Sequence, residues 1–439
     1  MGSIEITNSI NSFALELLDK LVSSDEGNVV ISPISVANAM AMAAAGATQG
    51  STNAQELENV LRLPITSEKG ANQLGKALVQ MMSTDPKVQI VLANSQWTNG
   101  TILESFKEGI RRDYDAEVFQ LPSTPDPINS WVKEKTDSLI EKIIDQIDPL
   151  VVAILVNAIY FKGEWQSQFD ADETQIDSFY ITPKQDIGVQ MMHRTDKKMY
   201  YTRCDFGPEV GDVQVAELPY GTGEHFSAVI LLPDAREGAT SLLLKKLAAE
   251  PTLWDDCIGD LCPSHVELWL PRFKIEYGAK DLKDALRAMG ITEAFTGSPE
   301  GAFQRMTPDS TVYVSAVYHK TILEVSEEGT KAAAVTAVVM KSRGMSPRHV
   351  IMSVERPFIF AIRNMQTGAL MFIGRINEPN AGDESDISDC PGGTARSIDS
   401  PEVGVPPDKA EDEGTPPKGY LPEAVPQWIK EPLGEALGR

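Results

Sequence analysis

Apolar side chains recur at two different spacings along the chain, and the change of spacing divides it into two regions. In the first third they follow a helical repeat, and the most periodic stretch predicts an amphipathic helix over residues 128–144. Residues 151–161 are almost entirely apolar and predict a strand buried on both faces of a sheet. Extended patterns then predominate, with a long predicted strand over residues 311–325 and a final pair over 350–362 and 369–376. Helices followed by many strands predict an α+β domain with large sheets.

The composition changes after Pro379. Residues 380–439 contain nine prolines, thirteen acidic and five basic side chains, and few apolar ones. Such a segment does not bury enough apolar surface to offset the entropy that its ordering would cost. We therefore predict one domain over residues 1–379 and a disordered, acidic, proline-rich tail over residues 380–439.

Charge and hydropathy limit the partners that the chain is expected to bind. Its formal net charge of −24 argues against nucleic-acid binding through a basic face. It has no apolar run of the ~18 residues that a membrane span requires. It also lacks a basic N-terminal region followed by an apolar run, so we expect no conventional signal peptide. We expect a cytoplasmic protein, or one exported by a route without a classical signal. Asn99 matches a glycosylation acceptor, but we favour a simple turn there.

The residues that usually carry catalysis or bind metals are sparse. The four cysteines do not indicate a disulfide framework or a metal site, and Cys257 and Cys262 have four residues between them rather than the two of a redox or zinc pair. The five histidines do not lie at metal-ligand spacing, and the usual hydrolase, zinc-protease and phosphate-loop motifs are missing. We therefore expect no catalytic residue, no metal and no cofactor, and favour a binding or inhibitory protein over an enzyme.

The stretch from Glu327 to Val350 alternates in an unusual way. Every second side chain from Thr330 to Met340 is small or apolar, while Lys331 and Lys341 both belong to the other register. Because side chains alternate faces along a strand, this stretch could enter a sheet with one buried face and its charges in water. The residues alone are equally compatible with an alanine-rich helix followed by a basic loop.

Five separated segments resemble characteristic segments of the serpins, a family of serine protease inhibitors, and they occur in the family's order. They are Asn28–Val36, Leu155–Trp165, Glu328–Ala334, Glu355–Ile362 and Phe372–Pro379. The resemblance extends over roughly residues 5–379. It implies the serpin fold, with three β-sheets, eight or nine helices and an exposed reactive-centre loop.

The resemblance also implies a mechanism. A trypsin-like serine protease would attack the loop and become covalently attached, and the cleaved loop would insert into the central sheet as a new strand. The loop hinge would comprise seven residues, Glu328, Gly329, Thr330, Lys331, Ala332, Ala333 and Ala334. Their small inward-facing side chains favour an inhibitor over a non-inhibitory relative.

Family spacing places the reactive bond fourteen residues after Gly329, between Arg343 and Gly344. An arginine there suits the carboxylate-floored pocket of trypsin-like proteases. Lys341 remains an alternative bait residue.

Four further residues match the family's shutter, a hydrogen-bonded cluster beneath the central sheet. They are Ser32, Ser35, Asn157 and His319. Ordinary pairing of polar groups in the core would explain them as well. We expect a monomer in the native state. The alternatives are a non-inhibitory serpin that acts as a carrier, chaperone or storage protein, and an inhibitor of cysteine proteases.

Overall fold

The computed structural model describes residues 2–82, 85–223, 225–235, 238–298, 303–309, 312–327 and 349–379. The hinge and bait predictions fall within 328–348, and the tail prediction falls within 380–439. Both therefore lie outside the described residues and stay predictions.

The described residues contain nine α-helices, which lie mostly in the first third of the chain. They are α1 (Ser3–Val22), α2 (Pro33–Gly46), α3 (Thr52–Leu61), α4 (Glu68–Met81), α5 (Glu104–Tyr114), α6 (Asp126–Lys135), α7 (Ala239–Ala249), α8 (Thr252–Gly259) and α9 (Lys283–Ala288). Helix α2 is buried along its whole length, which its run of small side chains permits. It begins with Pro33, whose fixed φ suits the first helical position.

Fourteen strands form two hydrogen-bonded sheets within the same part of the chain. They are β1 (Val29–Ile31), β2 (Val88–Thr98), β3 (Glu117–Gln120), β4 (Ala153–Gly163), β5 (Gln175–Thr182), β6 (Gln185–Asp205), β7 (Asp212–Pro219), β8 (Phe226–Pro233), β9 (Cys262–Pro271), β10 (Phe273–Asp281), β11 (Ala316–Val325), β12 (His349–Ser353), β13 (Phe358–Asn364) and β14 (Leu370–Ile376). The smaller, central sheet has the order β10-β11-β4-β2-β3, and the larger has β1-β14-β13-β8-β7-β6-β9-β12 with β5 paired to β6. The expected α+β serpin architecture is confirmed. Two of the three expected sheets are joined into one network because the 21-residue strand β6 pairs within both.

The central sheet separates two apolar cores. The larger core packs α2 against one face, where β4 contributes Leu155 and Ile159. The smaller core lies on the opposite face under α6, and its centre includes Trp97 stacked on Phe119 at 4.4 Å between ring centroids. Strand β4 supplies both cores with alternate side chains, which explains why its sequence is almost continuously apolar.

Three predicted elements differ in the structure. The helix predicted over 128–144 ends at Lys135, because Asp137 and Ser138 adopt left-handed backbone conformations with φ of 49° and 64°. The strand predicted over 311–325 begins only at Ala316. The segment predicted as one strand over 350–362 is divided into β12 and β13 on either side of Pro357, which lacks the N–H that a continuous ladder needs.

The cysteine prediction is wrong for one pair. Cys204 at the end of β6 and Cys257 in α8 form a disulfide with a Cα–Cα distance of 6.2 Å. The two residues are 53 positions apart, and only the packing of α8 against β6 brings them together. Sequence spacing therefore carried no signal for this bond. Cys262 is free and exposed.

Candidate functional site

The strand that leads into the predicted loop is held at its end by three side chains. Trp165 is buried, and its Nε1 donates a hydrogen bond to the backbone oxygen of Ser326 at 2.8 Å. The next residue, Glu327, accepts a hydrogen bond from the Thr174 hydroxyl at 2.8 Å and lies 3.9 Å from Arg272 Nη1. The chain before residue 328 is thus fixed to the top of the central sheet by backbone and side-chain contacts.

The chain that follows the predicted loop is held by a second group of contacts. His349 begins β12, which pairs in parallel with β9, and His349 lies opposite His265 with 4.7 Å between ring centroids. Glu267 connects this strand to its neighbours, since its carboxylate lies 3.3 Å from His349 Nε2 and 3.6 Å from His193 Nε2. The described chain therefore stops after β11 of the central sheet and resumes at β12, an edge strand of the larger sheet.

A row of polar side chains crosses the central sheet beneath these anchors. Asn94 on β2, Asn157 on β4 and His319 on β11 are register partners on three adjacent strands. Asn157 Nδ2 donates to both Asn94 Oδ1 and the Ser35 hydroxyl, and its Oδ1 accepts from His319 Nδ1. We call Asn94, Asn157 and His319 the polar row.

The start of helix α2 contacts the polar row at His319. The backbone N–H of Ser32 donates to His319 Nε2 at 3.2 Å, and Thr321 Oγ1 lies 2.7 Å from the same nitrogen. Since the Ser32 N–H is a donor, Nε2 acts as an acceptor, so His319 is the neutral tautomer with its proton on Nδ1. Burial lowers the pKa of His319 from 6.5 to about 3, which agrees with a neutral ring at every moderate pH.

The structure brings all four predicted shutter residues together, but Ser32 participates differently from the others. Its backbone contacts His319, whereas its hydroxyl is buried without a partner in the described part of the chain. Asn94 and Thr321 belong to the same cluster and were missed. Only the pairing register of β2 with β4 identifies Asn94, and a single sequence does not contain that register.

The polar row crosses the junction between β4 and β11, where the central sheet is parallel. Nine register pairs join these strands, and the pair of Asn157 with His319 lies among them. To open this junction, the molecule must break the hydrogen bond from His319 to Asn157. The arrangement thus links a buried hydrogen-bond network to the separation of two specific strands.

The described segments contain neither a candidate metal-ligand group nor a candidate membrane-spanning helix. These residues contain no group of three or more potential ligands that could hold a metal ion. None of their helices has the length and the apolar character that crossing a membrane would require.

The sequence model of the Serpin (serine protease inhibitor) family matches residues 8–379. The chain therefore belongs to the serpins, whose members are mostly protease inhibitors and not enzymes.

Individual relatives agree with this assignment. Human Serpin B8 is 36% identical over 391 residues, which cover 85% of this chain and 100% of the relative. Iripin-2 from the tick Ixodes ricinus is 33% identical over 389 residues, covering 85% of this chain and 94% of the relative. Among solved structures, Arabidopsis AtSerpin1 in its native stressed conformation matches with a TM-score of 0.77 at 26% identity, covering 86% of this chain and 99% of the other.

Proposed function

We propose that this serpin inhibits trypsin-like serine proteases by covalent trapping, with Arg343–Gly344 as the reactive bond. The protease would form an acyl-enzyme at Arg343, and the cleaved loop would insert between β4 and β11. The observation that carries the proposal is the directly paired, parallel β4–β11 junction, which adjoins the strand that leads into the loop.

The direction of the strands supports this insertion. The loop follows β11 in sequence, so a segment that turns back after Glu327 would run antiparallel to β11. Because β4 is parallel to β11, the same segment would also run antiparallel to β4. One parallel pairing would thus become two antiparallel pairings, which are more stable per residue.

The length and register of the loop fit the same site. Residues 330–340 would span about 36 Å at 3.3 Å per residue, close to the lengths of β4 and β11 with 11 and 10 residues. Six side chains would turn toward the larger core, and all are small or apolar: Thr330, Ala332, Ala334, Thr336, Val338 and Met340. The polar row would be broken at Asn157 and His319 as the new strand enters.

The same geometry suggests why the native chain would persist before it meets a protease. Insertion adds main-chain hydrogen bonds, but it must first separate nine register pairs and the buried network around His319. The lifetime of the uncleaved protein would then depend on this barrier rather than on equilibrium stability. The contacts of Trp165 and Thr174 would hold the end of β11 closed until cleavage.

Incubation with trypsin followed by denaturing electrophoresis tests the proposal. We expect a stable complex of higher mass, and N-terminal sequencing of the released fragment should start at Gly344. A fragment that starts at Ser342 would identify Lys341 as the bait residue. Arg343→Glu should abolish the complex, whereas Arg348→Glu in the same loop serves as the matched control and should retain it. Cleavage without any complex would reject inhibition.

A pair of adjacent substitutions tests insertion separately from bait recognition. Ala334→Arg would place a charge toward the larger core, while Ala333→Arg would place the same charge on the outward register with Lys331. We expect Ala334→Arg to be cleaved as a substrate without forming a complex, and Ala333→Arg to remain an inhibitor. Equal inhibition by both variants would exclude insertion in this register.

Two alternatives make different predictions in the same assays. A non-inhibitory carrier, chaperone or storage serpin would be cleaved at the loop and would form no complex with any protease. An inhibitor of cysteine proteases would form the complex with a papain-like enzyme and not with trypsin. The alternating hinge and the arginine at position 343 favour the serine protease inhibitor.

A further inference from the structure

A second site lies where the start of helix α7 meets two parts of the larger sheet. A cavity of about 130 Å³ is bordered by the start of α7, the turn between β5 and β6 and the end of β14. Its polar lining includes Thr240 and Ser241 on α7 and Arg375 on β14. Nothing in the inhibitory mechanism uses these residues.

Arg375 is a buried cation without a direct salt bridge. The residue is only 4% exposed, and none of the carboxylates that the structure describes lies within 4 Å of its guanidinium. The carboxylates of Asp25 and Glu26 favour its charged form from farther away. Its Nη2 donates to the backbone oxygens of Asp25 and Gly27 at 2.6 and 2.8 Å, and its Nη1 donates to the Ser241 hydroxyl at 3.1 Å. The Asp25 carboxylate is instead paired with Lys280 at 2.9 Å.

Part of the hydrogen-bonding capacity of Arg375 remains unused. A guanidinium carries five N–H donors, and three of them have the acceptors named above. Its Nε is buried and has no acceptor among the described residues. Neutral carbonyls and carboxylates farther than 4 Å away compensate only part of the hydration that a buried charge loses.

The start of α7 adds a second source of positive potential at the same cavity. This eleven-residue helix begins after Gly238, which has φ of 66° and no side chain to cap the first turn. The first N–H groups of a helix have no acceptor within the helix, and its dipole places partial positive charge there. The Ser241 hydroxyl, which accepts from Arg375, keeps its own proton available for a ligand.

We propose that the cavity bordered by Arg375, Thr240 and Ser241 is a binding site for a small oxyanion such as inorganic phosphate or sulfate. The anion would pair with the buried guanidinium and accept hydrogen bonds from the start of α7. The cavity volume suits a tetrahedral ion, and the donors come from a side chain, a hydroxyl and a helix terminus, which are the groups that recur in phosphate sites. Bound anion would connect α7 to the last strand of the domain.

Isothermal titration calorimetry of the full chain with sodium phosphate or sodium sulfate, in chloride buffers of matched ionic strength, tests this site. We expect saturable binding to a single site. Arg375→Gln should weaken it by roughly tenfold or more, since a charge-assisted hydrogen bond is lost, and Arg375→Lys should restore part of the affinity. Absence of saturable binding of both anions to the unaltered protein would overturn the proposal.

A second variant keeps the test valid if substitutions of Arg375 prevent folding. Thr240→Glu would place a carboxylate at the start of α7 and should exclude the anion, because the new charge would occupy the same positive site. Thr252→Glu introduces the same charge in the first turn of α8, at an exposed residue that does not line the cavity, and should leave the affinity unchanged. Equal affinity in both variants would show that any binding occurs elsewhere on the surface.

Discussion

The neutral state of His319 makes a quantitative prediction about stability against pH. Below its ordinary pKa of 6.5 the histidine of the unfolded chain binds a proton, whereas burial keeps it neutral in the native state until about pH 3. The unfolded state therefore binds more protons between these values, so native stability falls as the pH falls through this window. The loss approaches about 1.4 kcal/mol for each pH unit well below pH 6.5, and it amounts to roughly 2 kcal/mol between pH 6.5 and 4.5.

The structure explains why the native state does not accommodate the protonated ring. Protonation would place a hydrogen on Nε2, which already faces the N–H of Ser32 at 3.2 Å. Two donors would then point at each other in a fully buried site.

The measurement is the free energy of unfolding, obtained from the first urea transition at several pH values from 7.5 to 4.5. Tryptophan fluorescence of freshly diluted protein monitors this transition. His319→Gln removes the titrating group and retains an amide that can donate to Asn157. The variant should be less stable at pH 7.5, but between pH 6.5 and 4.5 its free energy of unfolding should fall by about 2 kcal/mol less than that of the unaltered protein. The many carboxylates titrate in both proteins, so the difference between the two slopes isolates His319. Identical slopes would refute the assignment of a neutral, buried histidine.

Three further substitutions test single contacts. Asn157→Ala should lower the free energy of the first urea transition by about 1–3 kcal/mol, because it leaves His319 Nδ1 without its acceptor. An unchanged transition midpoint would show that the polar row does not hold β4 to β11. Trp165→Phe removes the hydrogen bond to Ser326, worth about 1 kcal/mol, and should shorten the half-life of the native state at elevated temperature, measured by tryptophan fluorescence. An unaltered half-life would contradict the role of Trp165 as an anchor. Glu217→Gln should lower the free energy of unfolding by about 3–5 kcal/mol, because it leaves the largely buried Arg363 without the carboxylate that lies 2.7 Å from it. Glu141→Gln, at an exposed pair with Lys133, is its control and should leave the urea midpoint unchanged.

The architecture could be predicted largely because hydrophobic spacing and family motifs agree over most of the chain. The buried strand predicted over 151–161 is β4, and the residues predicted to form the shutter lie within hydrogen-bonding distance of one another or of their neighbours. Local spacing failed where single backbone conformations decide the outcome. Residues 136–144 keep a helical apolar repeat, yet the left-handed Asp137 and Ser138 end α6 before it.

Contacts between elements far apart in sequence could not be predicted from local sequence patterns. Asn94 is one polar residue in a strand, and its role depends on which residue of β4 lies opposite. The disulfide of Cys204 with Cys257 and the contact of Arg375 with Ser241 likewise depend on packing between elements far apart in sequence. A sequence pattern reports the face on which a residue lies, but the partner on the other element follows only from the tertiary structure.

The polar row suggests how one buried network can serve both folding and inhibition. Apolar residues at positions 157 and 319 would seal the β4–β11 junction by contacts that do not depend on direction. Hydrogen bonds between Asn157 and His319 require a defined geometry, and a modest separation of the strands breaks them. Their rupture exposes polar groups that an inserted strand's main chain can satisfy again. A junction of this kind resists opening until a competing strand is present, which is the property that a trap driven by loop insertion needs.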